Sequence, residues 1–128
     1  MSVNQMNAMT KSVNLTTQGL NGVKNAHTQM NSGANNLANN RIKSANANAS
    51  NATKEFNNSA NKFKQAGNTL TPYINSKTNN LRKAKDALNA ASKAAALAQG
   101  ALAISQAVRA ANFLGKQANT TFPNLVQQ

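Results

Sequence analysis

A chain of 128 residues has room for one small domain. It has no cysteine, which excludes disulfides and thiolate metal sites, and it sets 14 Lys and Arg against 2 acids, a formal charge of +12 that leaves no carboxylate cluster for a divalent cation. Much of the 40% hydrophobic share is alanine and only 4% is aromatic, so at about 25 cal/mol per Å² buried against roughly 1–2 kcal/mol of backbone entropy per residue, a compact monomer is expected to be marginal and assembly the larger source of stability.

The N-terminal stretch MSVNQMNAMTKSVN has neither the basic start nor the apolar core of a secretory signal. Through it and beyond, Met6, Met9, Val13, Thr16, Leu20, Val23, His27, Met30, Ala34 and Leu37 recur at alternating three- and four-residue steps, the heptad seam of a helix. Gly19, Gly22 and Gly33 interrupt it. Each is worth about 1 kcal/mol less than alanine in a helix interior, which predicts fraying or a break near Gly19–Gly22. After Leu37 the register slips by one residue and resumes through Ile42, Ala45, Ala49, Ala52, Phe56, Ser59, Phe63, Ala66 and Leu70. The opposite faces carry Asn46, Asn48, Asn51, Asn57, Asn58 and Asn61. Asparagine amides compete for backbone hydrogen bonds, so this helix is expected to need neighbours.

The stretch 67–72 is the best break in the chain. Gly67 suits the end of one helix, and Thr71 followed by Pro72 suits the cap and first position of the next. The expectation is an all-α single domain over 1–128: a helical region 1–69, a break at 67–72 that folds the chain into an αα-hairpin, an Ala-rich helix 72–114 and an extended tail 115–128. In the second helix Leu81, Ala84, Leu88, Ala91, Ala95, Ala98 and Leu102 form one stripe, joined from Leu97 by Ala101, Ile104, Val108 and Ala111. Two adjacent stripes bury most of a helix, and small residues let neighbouring helices approach closely. The uncharged run 94–108 is too short to span a bilayer. Phe113-Leu114-Gly115 reads as a helix stop.

Little here supports catalysis. His27 is the only histidine, on a helical seam with no partner for acid–base work, and Glu55 and Asp86 are the only carboxylates. Arg82 and Lys83 precede Asp86 by four and three residues, the spacing of surface ion pairs. No phosphate-cradling glycine loop and no sheet-borne aromatic platform is present. No enzyme, cofactor or metal is expected. The basic residues point either to solubility or to a polyanion, with the denser groups Lys62, Lys64, Arg82, Lys83 and Lys85 as the contact.

Two resemblances extend this reading. Residues 22–40, GVKNAHTQMNSGANNLANN, resemble the N-terminal helix of flagellar rod and hook proteins. Gly22, Val23, Ala26, Met30, Ala34, Asn35, Asn36, Leu37, Ala38 and Asn39 fall on that family's signature, G-L-x-x-A-x-x-x-L-x-x-x-S-N-N-[LI]-A-N. The resemblance implies a helix packed in an axial export channel, although no β-rich middle follows Asn40. In its overall character, acid-poor, cysteine-free, Ala/Asn/Gln-rich and helical with the apolar GALAISQAV segment, the chain is similar to the small internal virion (ejection) proteins of short-tailed phages. That resemblance implies storage in the particle beside DNA and passage into the host cell envelope to help form a conduit for the genome.

Together these readings predict a structural subunit of a helical, tubular assembly. It would pack against copies of itself or other virion proteins through Leu88, Ala91, Ala95, Leu102 and Val108, contact DNA non-specifically, and meet membrane through 94–108. A flagellar-type axial component and a basic nucleic-acid-binding protein are the alternatives.

Overall fold

The computed structural model describes residues 3–121 and places them in four helices with no strand among them: α1 (Val3–Ala38), α2 (Ile42–Leu70), α3 (Asn79–Ala96) and α4 (Gly100–Thr121), with a 3-10 turn at Thr71–Tyr73 after α2. The all-α expectation holds; the break expected at 67–72 falls later, since α2 runs through Gly67 to Leu70 and α3 starts at Asn79. Each helix packs on the ones before and after it, and α4 closes back on α1, so the chain runs up, down, up and down around one core.

The helical region 1–69 is itself a hairpin. Its turn is a Schellman motif: the Arg41 N–H donates to the Asn36 carbonyl (2.8 Å), the Asn40 N–H donates to that of Leu37 (3.1 Å), and Asn40 takes a left-handed φ of 59°. The one-residue slip between Leu37 and Ile42 is this reversal. The Ala-rich segment also divides, at 97–99. There the Gln99 N–H donates to the Ala94 carbonyl (2.8 Å), the Ala98 N–H to that of Ala95 (2.9 Å), and Ala98 sits at φ 57°. Both stops therefore use residues other than glycine. Between α2 and α3 the Thr78 hydroxyl, buried, donates to the Tyr73 carbonyl (2.7 Å) and accepts from the Asn75 N–H (2.8 Å), closing the loop before α3. Thr71 and Pro72 thus open the 3-10 turn, and the α-helix itself starts seven residues after Pro72.

The core is made of close helix contacts. On α2, Ala52, Phe56, Ser59, Phe63, Ala66 and Leu70 are buried, the seam expected from the sequence. On α3, Leu81, Ala84, Leu88, Ala91 and Ala95 are buried, again as expected. On α1 the phase differs. Met9, Thr16 and Val23 face inward, but the flank that joins them is Gln5, Ser12, Gly19 and Ala26, and Val13 and His27 lie exposed. The reason is steric: a Cβ on Gly19 would lie 2.5 Å from the Phe63 ring, and one on Gly22 would lie 2.2 Å from Ser59 Oγ. Large rings on α2 need the smallest residues of α1 opposite them. These glycines do not break α1, which is continuous through them. The close approach also lets Ser12 donate to the Ala66 carbonyl (3.0 Å), while Ser92 on α3 donates to that of Ala60 (2.8 Å).

On α4 the buried set is Gly100, Ala103, Ala107, Ala110, Leu114 and Gln117, one residue out of phase with the expected Ala101, Ile104, Val108 and Ala111. The turn at 97–99 resets the phase and brings the smaller side chains inward. The helix runs through Gly115 to Thr121, so the expected stop at Gly115 is absent and 115–121 is helical. The rest of the expected tail, 122–128, lies outside the described residues.

Helices α1 and α2 are much the longer pair, roughly 54 and 44 Å against about 27 and 33 Å for α3 and α4. Gly100, the first residue of α4, lies against Val23, Phe56 and His27. Beyond that level the first hairpin continues alone for about 17 Å. Inside this overhang Asn36 Nδ2 donates to Asn48 Oδ1 (2.7 Å) and Asn48 Nδ2 donates to Gln29 Oε1 (2.8 Å), so asparagine here joins the helices to each other.

Candidate functional site

One cluster of charge stands out on the α3–α4 face. Arg109, Phe113 and Lys116 lie four and three residues apart on α4, hence on one side of it. Lys83 reaches the same ring from α3. The Phe113 ring centroid is 5.5 Å from Arg109 Cζ, 5.6 Å from Lys116 Nζ and 5.7 Å from Lys83 Nζ, within cation–π range for all three. Among the described residues none of these cations forms an ion pair. A groove of about 250 Å³ opens beside the ring, lined by Lys83, Asp86, Ala87, Gln106, Arg109 and Phe113. The half-buried ring forms an apolar wall, and the groove carries cations with a single carboxylate. The balance of two cations and one carboxylate leaves a net positive field at the groove.

Of the five cations singled out from the sequence, only Lys83 belongs to this cluster. Lys62 lines a different groove, between α1 and α2, together with Glu55. Lys64 is exposed on α2. Arg82 bonds the Asn79 side chain, and Lys85, half-buried, bonds the Thr71 hydroxyl and packs against the position of Gly67. The helical twist that puts Lys83 on the α4 side of α3 puts Lys85 on the α2 side. The five cations are thus spread over several faces of the bundle. Arg109 and Phe113 already share a face on a helix ending at 114, but a stop at Gly115 leaves out Lys116, and only the fold of α4 along α3 brings Lys83 to them.

The predicted packing residues divide in the same way. Leu88, Ala91 and Ala95 are fully buried against the chain's own helices and offer nothing to a neighbour. Leu102 and Val108 remain exposed on α4. Further exposed apolar side chains lie on the overhang. Met30, Gly33 and Leu37 continue the core-facing side of α1 past the point where α3 and α4 end, and Ile42, Ala45 and Ala49 do the same on α2. Met30 is 47% exposed, Leu37 58% and Ile42 52%, and at the foot of the overhang Leu97 is 69% exposed.

The segment 94–108 is not one helix, and no helix among the described residues is long and apolar enough to cross a membrane. His27 is exposed beside a groove of about 310 Å³ shared with Lys24, Thr28, Asn31, Ala101 and Ile104. Among the described residues no group of three or more His, Cys, Asp or Glu side chains is placed to hold a metal ion. In comparison with known proteins, no family model, no curated protein and no solved structure matches this chain.

Proposed function

We propose that this chain is a non-enzymatic structural subunit that works in a helical, tubular assembly, as an internal or ejection-type virion protein that is stored beside DNA and aids genome delivery across the host envelope. The observation that carries the assembly reading is the overhang. Met30, Leu37 and Ile42 extend the apolar face of the core into solvent, with Leu97 exposed at its foot. Large apolar side chains this exposed, grouped at one end of the first hairpin, mark a protein contact. The second hairpin covers the lower part of that face; a neighbouring copy or another virion protein covers the upper part. Leu102 and Val108 on α4 extend the contact to a further neighbour.

Light scattering over a wide concentration range tests this. Oligomers that form without DNA, and that are lost in Leu37→Lys with helicity retained, support the subunit reading. A wild-type chain that stays monomeric at the highest attainable concentration refutes self-assembly through this face.

A second reading, a non-specific nucleic-acid-binding protein, is favoured by the cations around Phe113. The two are compatible in a particle component, and the salt dependence of DNA binding separates them from a purely structural role.

A further inference from the structure

We propose that the groove between α3 and α4 at Phe113 is a binding site for single-stranded nucleic acid, with Arg109, Lys83 and Lys116 holding phosphates and Phe113 meeting a base. This rests on the nucleic-acid contact in the reading above and not on assembly.

Each charge lies 5.5–5.7 Å from one ring centroid, so no two of the three are more than about 11 Å apart, comparable to the Debye length at physiological salt. They repel one another. Attraction to the ring offsets part of that repulsion, and the one carboxylate in the groove, Asp86, pairs with none of them. A phosphodiester entering the groove supplies the missing negative charge. Arg109 presents a planar fork suited to two oxygens of one phosphate, while Lys83 and Lys116 carry point charges on flexible stems able to turn from the ring to the flanking phosphates. That movement uncovers a face of the ring. A cationic groove with an aromatic side chain in it is the general plan of single-strand recognition, in which the ring stacks on bases of any kind.

Shape selects the strand over other polyanions. Lys83 and Arg109 line the groove between two helices with the half-buried ring, and Lys116 reaches the ring from outside that lining, a concave site that the backbone of one strand enters and a planar layer of lipid headgroups does not. Paired bases in a duplex are stacked on each other and leave no face for Phe113. Asp86 lines the same groove and repels a phosphate, so the net pull on the strand comes from the two cations beside it, Lys83 and Arg109.

The test uses the full chain and fluorescence anisotropy of a labelled oligo-dT of about 12 nucleotides, titrated at several salt concentrations. The triple variant K83Q/R109Q/K116Q is compared with K11Q/K43Q/K54Q, which removes the same charge from exposed positions on α1 and α2. The site variant is expected to bind at least about tenfold more weakly, with a log–log salt slope smaller by about 2, the value for three single-strand phosphate contacts. The control variant is expected to lose less than about threefold. Equal losses in the two variants overturn the site, since charge anywhere on the surface would then serve. Phe113→Leu, with helicity verified by circular dichroism, is expected to lose at least about fivefold in affinity at an unchanged salt slope. Unaltered affinity, or a duplex bound as tightly as the single strand, overturns the base contact. Phosphatidylglycerol vesicles that compete the oligonucleotide off the wild type but not off the site variant also overturn the proposal, because they would make the groove a headgroup site. Oligomer mass measured on the same samples reports separately on assembly.

Discussion

Gly19 and Gly115 are both glycines inside long helices, yet replacing each with alanine should move stability in opposite directions. Helix propensity alone favours alanine by about 1 kcal/mol at either position. Gly115 is exposed, and a Cβ there meets nothing within 4 Å, so Gly115→Ala should realise the full gain. Gly19 is buried, and its Cβ would lie 2.5, 2.7 and 2.9 Å from three carbons of the Phe63 ring. Phe63 is itself fully buried, so relief requires the ring to push on its core neighbours or α1 and α2 to separate. Overpacking of this kind costs about 1–3 kcal/mol, and contact with three ring atoms at once places it near the upper end. The net expectation for Gly19→Ala is a loss of about 2 kcal/mol, so the two variants should differ by about 3 kcal/mol. Urea titration followed by circular dichroism at 222 nm measures both, with the midpoint reporting stability and the slope reporting any change in surface exposed. In thermal melts the shifts should be about 8 °C downward and about 4 °C upward. A Gly19→Ala protein as stable as Gly115→Ala would show that α1 and α2 do not approach closely at Phe63, and the account of the α1 phase would fall with it.

Ser59 Oγ is buried with no hydrogen-bond partner and lies 2.2 Å from where a Gly22 Cβ would sit. Ser59→Ala should therefore stabilise by about 1 kcal/mol and make Gly22→Ala tolerable, whereas Gly22→Ala alone destabilises; a double-mutant cycle without coupling contradicts this. Ala98 sits at φ 57° at the end of α3, and Ala98→Gly should raise the urea midpoint by the equivalent of about 1 kcal/mol, the penalty for a side chain in the left-handed region. Leu102→Asp should leave the monomer folded, because Leu102 is exposed, and should weaken assembly less than Leu37→Lys does; sedimentation velocity of both variants at matched concentration decides the order.

The fold was legible where a helix's larger side chains are also its buried ones. On α2 and α3, Phe56, Phe63, Leu70, Leu81 and Leu88 are the bulkiest residues of their stripes and all face the core. Hydrophobic periodicity therefore yields both period and phase there. On α1 two seams share Met9, Thr16 and Val23, one completed by Val13 and Leu20, the other by Ser12 and Gly19. Hydrophobicity prefers the first. The choice depends on what stands opposite, and the Phe63 ring accepts only the second. A single helix carries no record of its partner's shape, so this preference was out of reach. The two extra turns were hidden for a related reason. A helix stop is recognised from glycine, but here the glycines lie within helices, Gly19 and Gly22 at close contacts, and the left-handed positions fall to Asn40 and Ala98. Asn40 leaves a trace in the asparagine pair at 39–40 and in the register slip. Ala98 leaves none, because the hydrogen bonds to Ala94 and Ala95 that close its turn are between backbone groups. The basic site follows from the same omission: Arg109, Phe113 and Lys116 share a face only on a helix that passes Gly115, and Lys83 joins them only once α4 folds back along α3. Charge density along the chain selected Lys62, Lys64, Arg82 and Lys85 instead, and the helical twist distributes those over separate faces. In an α-hairpin protein of this composition, the contacts that gather function are set by which helices are adjacent, and adjacency is decided at turns whose side chains carry the weakest signals in the sequence.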